Sequence, residues 1–476
     1  MADEPASRTP RRDLGLATCA LLGLTTIVGS GIFALPPILA RNVGPLSFLA
    51  FVAAAGIVLF IGLMTAEAAG TTDKTGGAYQ YARQAFGAPV GFAVAWLAWI
   101  NTILAWAGVS VALVKLLEPI HPWFADPTHA RLAATLEIAA LGLVNAAGAK
   151  PGAAVSNILT VAKLVPLAIF VVIGLCAFDP VRFAGSGQTL AAAGAGGLAV
   201  AVYRCIYAAG GFENIGIIAG EVRNPQRAIP KAVVVAIAAS STLYAFVQFA
   251  AVSSVPDLAA VAPATGPGSL SLPLAAEQAA TRIGSSAFGA LVYQLLWVGA
   301  IVSMFGFCSG IALVSPRYLF AMAEDRFVPA ALVRTTASGT PAVAVLAVTA
   351  VSIGLVWGAD WLSMLDAAVL FSLCQHTTTV LSAWRLRSSV PKEGRFVAPG
   401  GALVPLAALI LIAGLVMFAF RPPAWLAPYY PITVPDGVDA IGAQHFGALA
   451  VVLGLGALVA FISRRTASAV GGAPGA

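Results

Sequence analysis

Apolar residues in this chain gather in long windows closed by Gly, Pro or charge, and windows of that length predict helices that cross a bilayer. They place spans near 14–40, 45–68, 88–117, 130–149, 154–177, 195–221, 231–254, 286–316, 341–358, 361–384, 401–420 and 444–463. Twelve spans of about 20 residues take about 240 positions. The rest of the 476 residues suffices for connections but not for a large aqueous domain. The expectation is one all-α polytopic membrane domain with 12 transmembrane helices.

Lys and Arg test the count, because they should collect on the cytoplasmic side. Numbered from a cytoplasmic N-terminus, Arg8, Arg11, Arg12, Lys74, Arg83, Lys150, Arg223, Arg227, Lys231, Arg317, Arg326, Arg334, Arg385, Arg387, Lys392, Arg395, Arg464 and Arg465 fall inside. Arg41, Lys115, Arg131, Arg182, Arg282 and Arg421 fall outside, and Lys163 and Arg204 lie within spans. Twelve spans with both termini cytoplasmic follow; eleven would put Arg464 and Arg465 outside.

Composition agrees. Of the residues 59% are hydrophobic and 10% charged, with a mean hydropathy of +0.90; a soluble protein carries roughly 25% charge. The net charge of +6 belongs to membrane orientation, and nucleic-acid binding is not expected. Cys19, Cys176, Cys205, Cys308 and Cys374 lie in apolar stretches without paired spacing and read as small buried hydrophobes. The basic start at 1–13 leads into a window with no small-residue cleavage site, so it reads as a retained span and not as a signal peptide.

Two spans are interrupted, the first by Gly29-Ser30-Gly31 and the sixth by Gly210-Gly211. Glycines also let helices pack closely, but breaks five spans apart match transporters built from two inverted repeats whose first helices unwind at the midplane. Unwinding leaves N–H groups unpaired at one half-helix and carbonyls at the other, a pair of surfaces that suits a zwitterion such as an α-amino acid. Its carboxylate would meet N–H groups around Ser30, Gly31 and Ile32, with Gly29 opening the turn and the Ser30 hydroxyl as a further donor. Its ammonium would meet carbonyls of residues such as Ile27, Tyr207 and Gly210, with Ala208 beside them.

The runs TIVGSGIF (Thr26–Phe33), AEAAGTTDKTGGAYQYARQAFG (Ala66–Gly87), YAAGGFENIGIIAGEVRNPQRAIPKA (Tyr207–Ala232) and SPRYLFAMAEDRFVP (Ser315–Pro329) resemble signature segments of the amino acid/polyamine/organocation transporter superfamily. The resemblance implies the LeuT-type fold, a 5+5 inverted repeat plus two accessory helices, with helices 1 and 6 broken. The repeats would be 14–177 and 195–384, the accessory spans 401–463, and the tails 1–13 and 464–476. It also implies that Tyr207 closes over the substrate, where its ring could stack and block the exit.

Lys163 stands in the middle of span 5, where a lysine costs about 2.5–3.5 kcal/mol on the insertion scale, so it should face the bundle interior. It is either a permanent ammonium holding carbonyls near the first break or a proton carrier. By resemblance, a lysine in span 5 stands where other members hold a sodium ion. Arg204, one turn from Tyr207, has three readings: a partner for a substrate carboxylate, a partner for an acid in an outer gate, or a side chain reaching the interface. Glu213 reads either as a helix cap or as a proton-sensitive switch or cation site, with Asn214 assisting. Asn101, Ser303 and Ser309 are weaker cavity-lining readings. His376 is expected to bond a neighbouring helix, Glu67 and Gly76-Gly77 to shape an inner loop, and Pro225 to end a helix in a cytoplasmic turn.

No GxSxG, HExxH or phosphate-binding loop is present in the sequence, so no enzyme, cofactor, metal or ATP-driven pump is expected. The expected function is secondary transport of an amino acid by alternating access, with proton symport favoured because Lys163 leaves no obvious sodium site. The membrane would be the plasma membrane, bacterial by the compact loops. An exchanger of amino acids or amines is the alternative, ahead of a channel or nutrient sensor on the same scaffold.

Overall fold

The computed structural model describes residues 14–72, 76–148, 153–185, 190–217, 219, 222–255, 258, 271–336, 339–359, 361–391, 394–420, 441–442 and 444–469. The tail 1–13, Lys74, Lys150, Lys392, Arg421 and residues 470–476 lie outside the described residues, as does the side chain of Arg182.

The described chain is helical, with two isolated bridges, Leu14 to Val222 and Phe420 to Ile441. Helices α1 (Leu16–Ile27) and α2 (Gly31–Val43) share the first window, and α3 (Phe48–Ala69) and the short α4 (Ala78–Phe86) follow. Next come α5 (Ala88–Lys115), α6 (Pro127–Ala146), α7 (Ala153–Cys176) and the short α8 (Pro180–Gly185). Helices α9 (Leu190–Ala209) and α10 (Asn214–Ile217) share the sixth window, followed by α11 (Pro225–Ser254), α12 (Ser271–Ile283) and α13 (Ser286–Glu324). The rest is α14 (Ala342–Gly358), α15 (Trp361–Leu386), α16 (Leu403–Ala419) and α17 (Gln444–Ala469).

Hydropathy alone did not reveal α4, α8 and α12, which are too short or too polar to read as spans. Pro225 begins α11 instead of ending a helix: Asn224 takes a left-handed φ of 51° and the proline occupies the first turn, where its missing N–H has no intrahelical role. Helix α13 continues past the expected end at 316 to Glu324, with Pro316 inside it. Cys19, Cys205 and Cys308 are buried, but Cys176 is exposed and Cys374 is partly so, which corrects the expectation of five buried thiols.

Among the described residues, six helical stretches are long and apolar enough to cross a membrane. In α17 that window has a hydropathy of 2.4 yet is only 17% buried by protein. Val451, Leu455, Leu458 and Phe461 on α17, and Leu406 and Ile410 on α16, point outward. An apolar surface this continuous is stable against lipid tails, not water.

Inside, α1 packs on α7 and α11, α9 on α3 and α15, α5 between α13 and α15, α7 against α13, and α6 against α14. One end of the bundle is tied by charge. Glu67, fully buried at the end of α3, accepts Nε of Arg387 at 2.7 Å and Nη2 at 2.8 Å, and the Ala398 N–H at 2.9 Å. Near it Arg83 pairs with Asp325 at 2.9 Å, Arg385 covers the Phe86 ring, and Arg464 covers Phe327. Glu67 therefore joins α3 to the end of α15 and the 394–400 loop, and its bond to Arg387 was not anticipated.

Candidate functional site

The chain leaves helical geometry at Val28-Gly29-Ser30, between α1 and α2, and again at residues 210–213, between α9 and α10. The two breaks touch. Gly211 adopts a φ of +108°, and a Cβ there would stand 2.4 Å from the Thr26 carbonyl oxygen. The Thr26 hydroxyl donates to the Gly211 carbonyl at 2.9 Å. A Cβ on Gly31 would stand 2.7 Å from that of Ala208. Glycine at 31 and 211 thus permits a backbone approach that any side chain would prevent.

A small, partly open cavity lies at the meeting point. Ile27, Gly29, Ser30, Gly31, Tyr207, Ala208, Gly210 and Glu213 line it, as does Asn101. Val109 of α5, Phe307 and Ile311 of α13, and Val369 and Ser372 of α15 complete the walls. Ile32, Lys163 and Arg204 do not line it, nor do Ser303 and Ser309.

The first N–H groups of α2, at Gly31 and Ile32, have no carbonyl one turn back within their helix. Beside them Ser30 Oγ lies 3.4 Å from the Tyr207 hydroxyl, which closes one side of the cavity. Of the three carbonyls expected to receive an ammonium, those of Ile27, Tyr207 and Gly210, the first two carry one partner each. Ile27 O accepts from the Tyr244 hydroxyl at 3.2 Å, and Tyr207 O accepts from the Gly210 N–H at 3.3 Å. Each oxygen keeps a second lone pair.

Lys163 stands behind the first break, 1% exposed. Its Nζ donates to the carbonyls of Thr25 at 2.8 Å and Val28 at 2.9 Å, and Ser303 adds a bond to Val28 O at 3.0 Å. The Thr25 and Thr160 hydroxyls also bond each other, tying α1 to α7. The Lys163 amine and the Ser303 hydroxyl thereby satisfy carbonyls that unwinding exposes.

Arg204 is also 1% exposed, with Nη2 3.6 Å from Oδ2 of Asp366 on α15. It reaches no surface, which removes the interface reading. Glu213 turns its carboxylate back onto the break, accepting the Gly211 N–H at 2.9 Å just ahead of α10. His376 bonds Ser372 of its own helix at 2.9 Å and stacks on Phe212 of the break, centroids 5.3 Å apart. Its expected bond to a neighbouring helix is a ring contact instead.

Two acids within apolar windows escaped the sequence reading, one buried and one half-buried. Asp366, the partner of Arg204, and Glu137 on α6, whose Oε2 accepts the Ser110 hydroxyl at 2.7 Å, both lie inside apolar windows. The rule that drew attention to Lys163, a charge inside a span, applies equally to them.

A model of the family described as amino acid permease matches residues 14–455. A serine/threonine exchanger of Bacillus subtilis is 26% identical over 67% of this chain and 70% of its own length. A branched-chain amino acid permease of Lactococcus lactis is 26% identical over 83% and 87%. The small subunit 2 of the mouse large neutral amino acids transporter is 26% identical over 68% of this chain and 60% of its own length. The match thus spans less than two thirds of that mammalian relative.

Proposed function

The chain belongs to the amino acid permease family and is a multi-pass membrane protein; on that premise we propose that it carries an amino acid across a membrane by alternating access, with the substrate held between the two helix breaks. The observation that carries this reading is the contact of the breaks over one cavity, with Gly31 opening α2 on one side and Gly210 ending α9 on the other. The substrate carboxylate would take the N–H groups of Gly31 and Ile32 and the Ser30 hydroxyl, and the ammonium would take the free lone pairs of Ile27 O and Tyr207 O. Tyr207 would swing as the lid, and Arg204 with Asp366 would hold α9 against α15 until it opens.

The packing supports two repeats related by five spans. The contacts α1 with α11, α5 with α15 and α1 with α7 recur as α9 with α3, α13 with α7 and α9 with α15. Each is the other with every span number exchanged between halves, and α6 with α14 maps onto itself. Short helices repeat the rule, α4 leading into α5 and α12 into α13. Such exchange is expected of a 5+5 inverted repeat, with α16 and α17 as accessory spans and twelve crossings in all. The gathering of Arg83, Arg385, Arg387 and Arg464 at one end supports assigning that end, and both termini, to the cytoplasm of a bacterial cell.

Lys163 would fill the place of a coupling cation, and proton symport is the favoured mode. Exchange is the second reading, favoured by the relative named as a serine/threonine exchanger. A thermal-shift screen of the purified protein against amino acids and amines should identify the substrate. Proteoliposomes should then accumulate it under an inward proton gradient without internal amino acid. Uptake only into preloaded vesicles would replace symport by exchange, and no uptake or shift with any amino acid would refute transport.

A further inference from the structure

We propose that Glu137 is a proton-binding site of this permease, a carboxyl set one side-chain layer behind the cavity wall and separate from Lys163. Its coupling consequence rests on the transport reading above; the protonation itself does not.

Glu137 sits on α6 where that helix meets α5, α13 and α14. Its Oε2 accepts the Ser110 hydroxyl, and its Oε1 is buried without a hydrogen-bond partner. Cys308 Sγ of α13 lies 3.6 Å from the same Ser110 oxygen. Helix α14 carries no ionisable side chain. On α5 the nearest cation is Lys115, more than a turn further on and paired with Glu118 at 2.7 Å. On α13 the ionisable groups besides Cys308 are Tyr293, Arg317, Tyr318 and Glu324, each more than two turns away along the helix. On α6 itself Arg131 is exposed, and His129 lies against Asp126 at the helix start. The helix rise puts these groups about 7 Å or more along their own helices from Glu137, Ser110 or Cys308. A half-buried carboxylate with a hydroxyl and a thiol for neighbours, and no cation among the described residues of these helices within a turn of it, is poorly held as an anion among helices. Adding a proton at Oε1, taken from a hydronium ion of the aqueous phase that enters the cavity and leaving water behind, gives a neutral acid. Release to water on the other side reverses the step.

The position also explains how that proton could be felt at the substrate. Ser110 follows Val109, and Cys308 follows Phe307, and both of those neighbours line the cavity. The Phe307 ring lies so close to the first break that a Cβ on Gly29 would stand 3.0 Å from it. Charge or neutrality at Glu137 is therefore felt one residue away from two wall residues, of which Phe307 lies against the first break.

The test uses the full chain in lipid nanodiscs and infrared difference spectra between low and high pH, with no substrate. The wild type should show the carbonyl stretch of a protonated carboxyl, moved by D2O, and Glu137→Gln should lose that part of the band. A band of full size in Glu137→Gln overturns the site. Should that variant not fold, Ser110→Ala should move the pH at which the band appears, and an unmoved band overturns the site equally. In proteoliposomes, with L-serine and L-leucine as probes, Glu137→Gln should keep counterflow but lose accumulation driven by a proton gradient. Accumulation with the wild-type pH profile overturns the coupling role. If the wild type carries neither probe nor any other amino acid, the transport reading fails while the infrared result still decides the proton site.

Discussion

Replacing Lys163 by methionine removes an amine that nothing else at the first break replaces, while keeping most of its volume. Thr25 O would lose its Nζ donor, and Val28 O would keep only the Ser303 hydroxyl. A buried carbonyl left without its donor costs about 1–3 kcal/mol, so about 3 kcal/mol of the hold on the unwound geometry is at stake. Against that, a desolvated amine leaves the interior, and replacing buried charges by apolar groups is often neutral or better for stability. Global stability should therefore change by less than about 2 kcal/mol, while occupancy of the binding geometry falls about 100-fold, at 1.4 kcal/mol per tenfold. Thermal unfolding in detergent reads the first quantity and initial uptake into proteoliposomes the second. Lys163→Ala should abolish uptake as well, with an added loss of packing. Wild-type uptake by a folded Lys163→Met protein would refute the reasoning, because the carbonyls would then not need the amine.

The other expectations are narrower. Gly211→Ala should abolish uptake, since its φ of +108° and the 2.4 Å approach to Thr26 O leave no room, whereas Gly306→Ala, with nothing within 4 Å of its Cβ, should transport normally; equal activity of the two would contradict the close approach of the breaks. Arg387→Met should lower stability by about 3–5 kcal/mol by stranding Glu67, and the double replacement with Glu67→Met should recover part of that in a denaturant titration. The Asp126 carboxyl, exposed at the start of α6, is held below the ordinary carboxylate range by the backbone N–H of His129 first and then that of Thr128. Its stabilising contribution is therefore complete above the ordinary value and lost as pH falls through the lowered one. Protection of the Thr128 and His129 amides, taken against their intrinsic exchange rates, should fall with acid in the wild type and show no such pH step in Asp126→Ala.

Legibility followed the physics that each feature depends on. Lipid imposes a length and an apolar composition on any crossing helix, so the windows that became α3, α5, α6, α7, α14 and α15 could be read to within a few residues. The breaks were legible because glycine clusters five spans apart are a backbone property, written locally. Helix α4 was not, because an amphipathic segment of nine residues carries a weak periodic signal, and α13 outran its window because Pro316 resembled a stop.

Side-chain partners are a different kind of information. A charge inside a span announces that it must be satisfied, which singled out Lys163 and Arg204, but the partner is chosen by packing between helices far apart in sequence. Lys163 resolves onto backbone carbonyls and Arg204 onto Asp366, two outcomes that the same cost of insertion allows. For a cation the answer is found by asking which oxygens the fold leaves exposed, and an unwound helix supplies them locally, so a bond from Lys163 to the first break was one of the two readings that the sequence offered. For Arg204 the oxygen is a side chain on α15, and only the approach of α9 to α15 selects it. Glu137 marks the remaining case. No cation among the described residues of the helices around it lies within a turn of it, so its charge is best relieved by a proton, the one partner that needs no place in the chain.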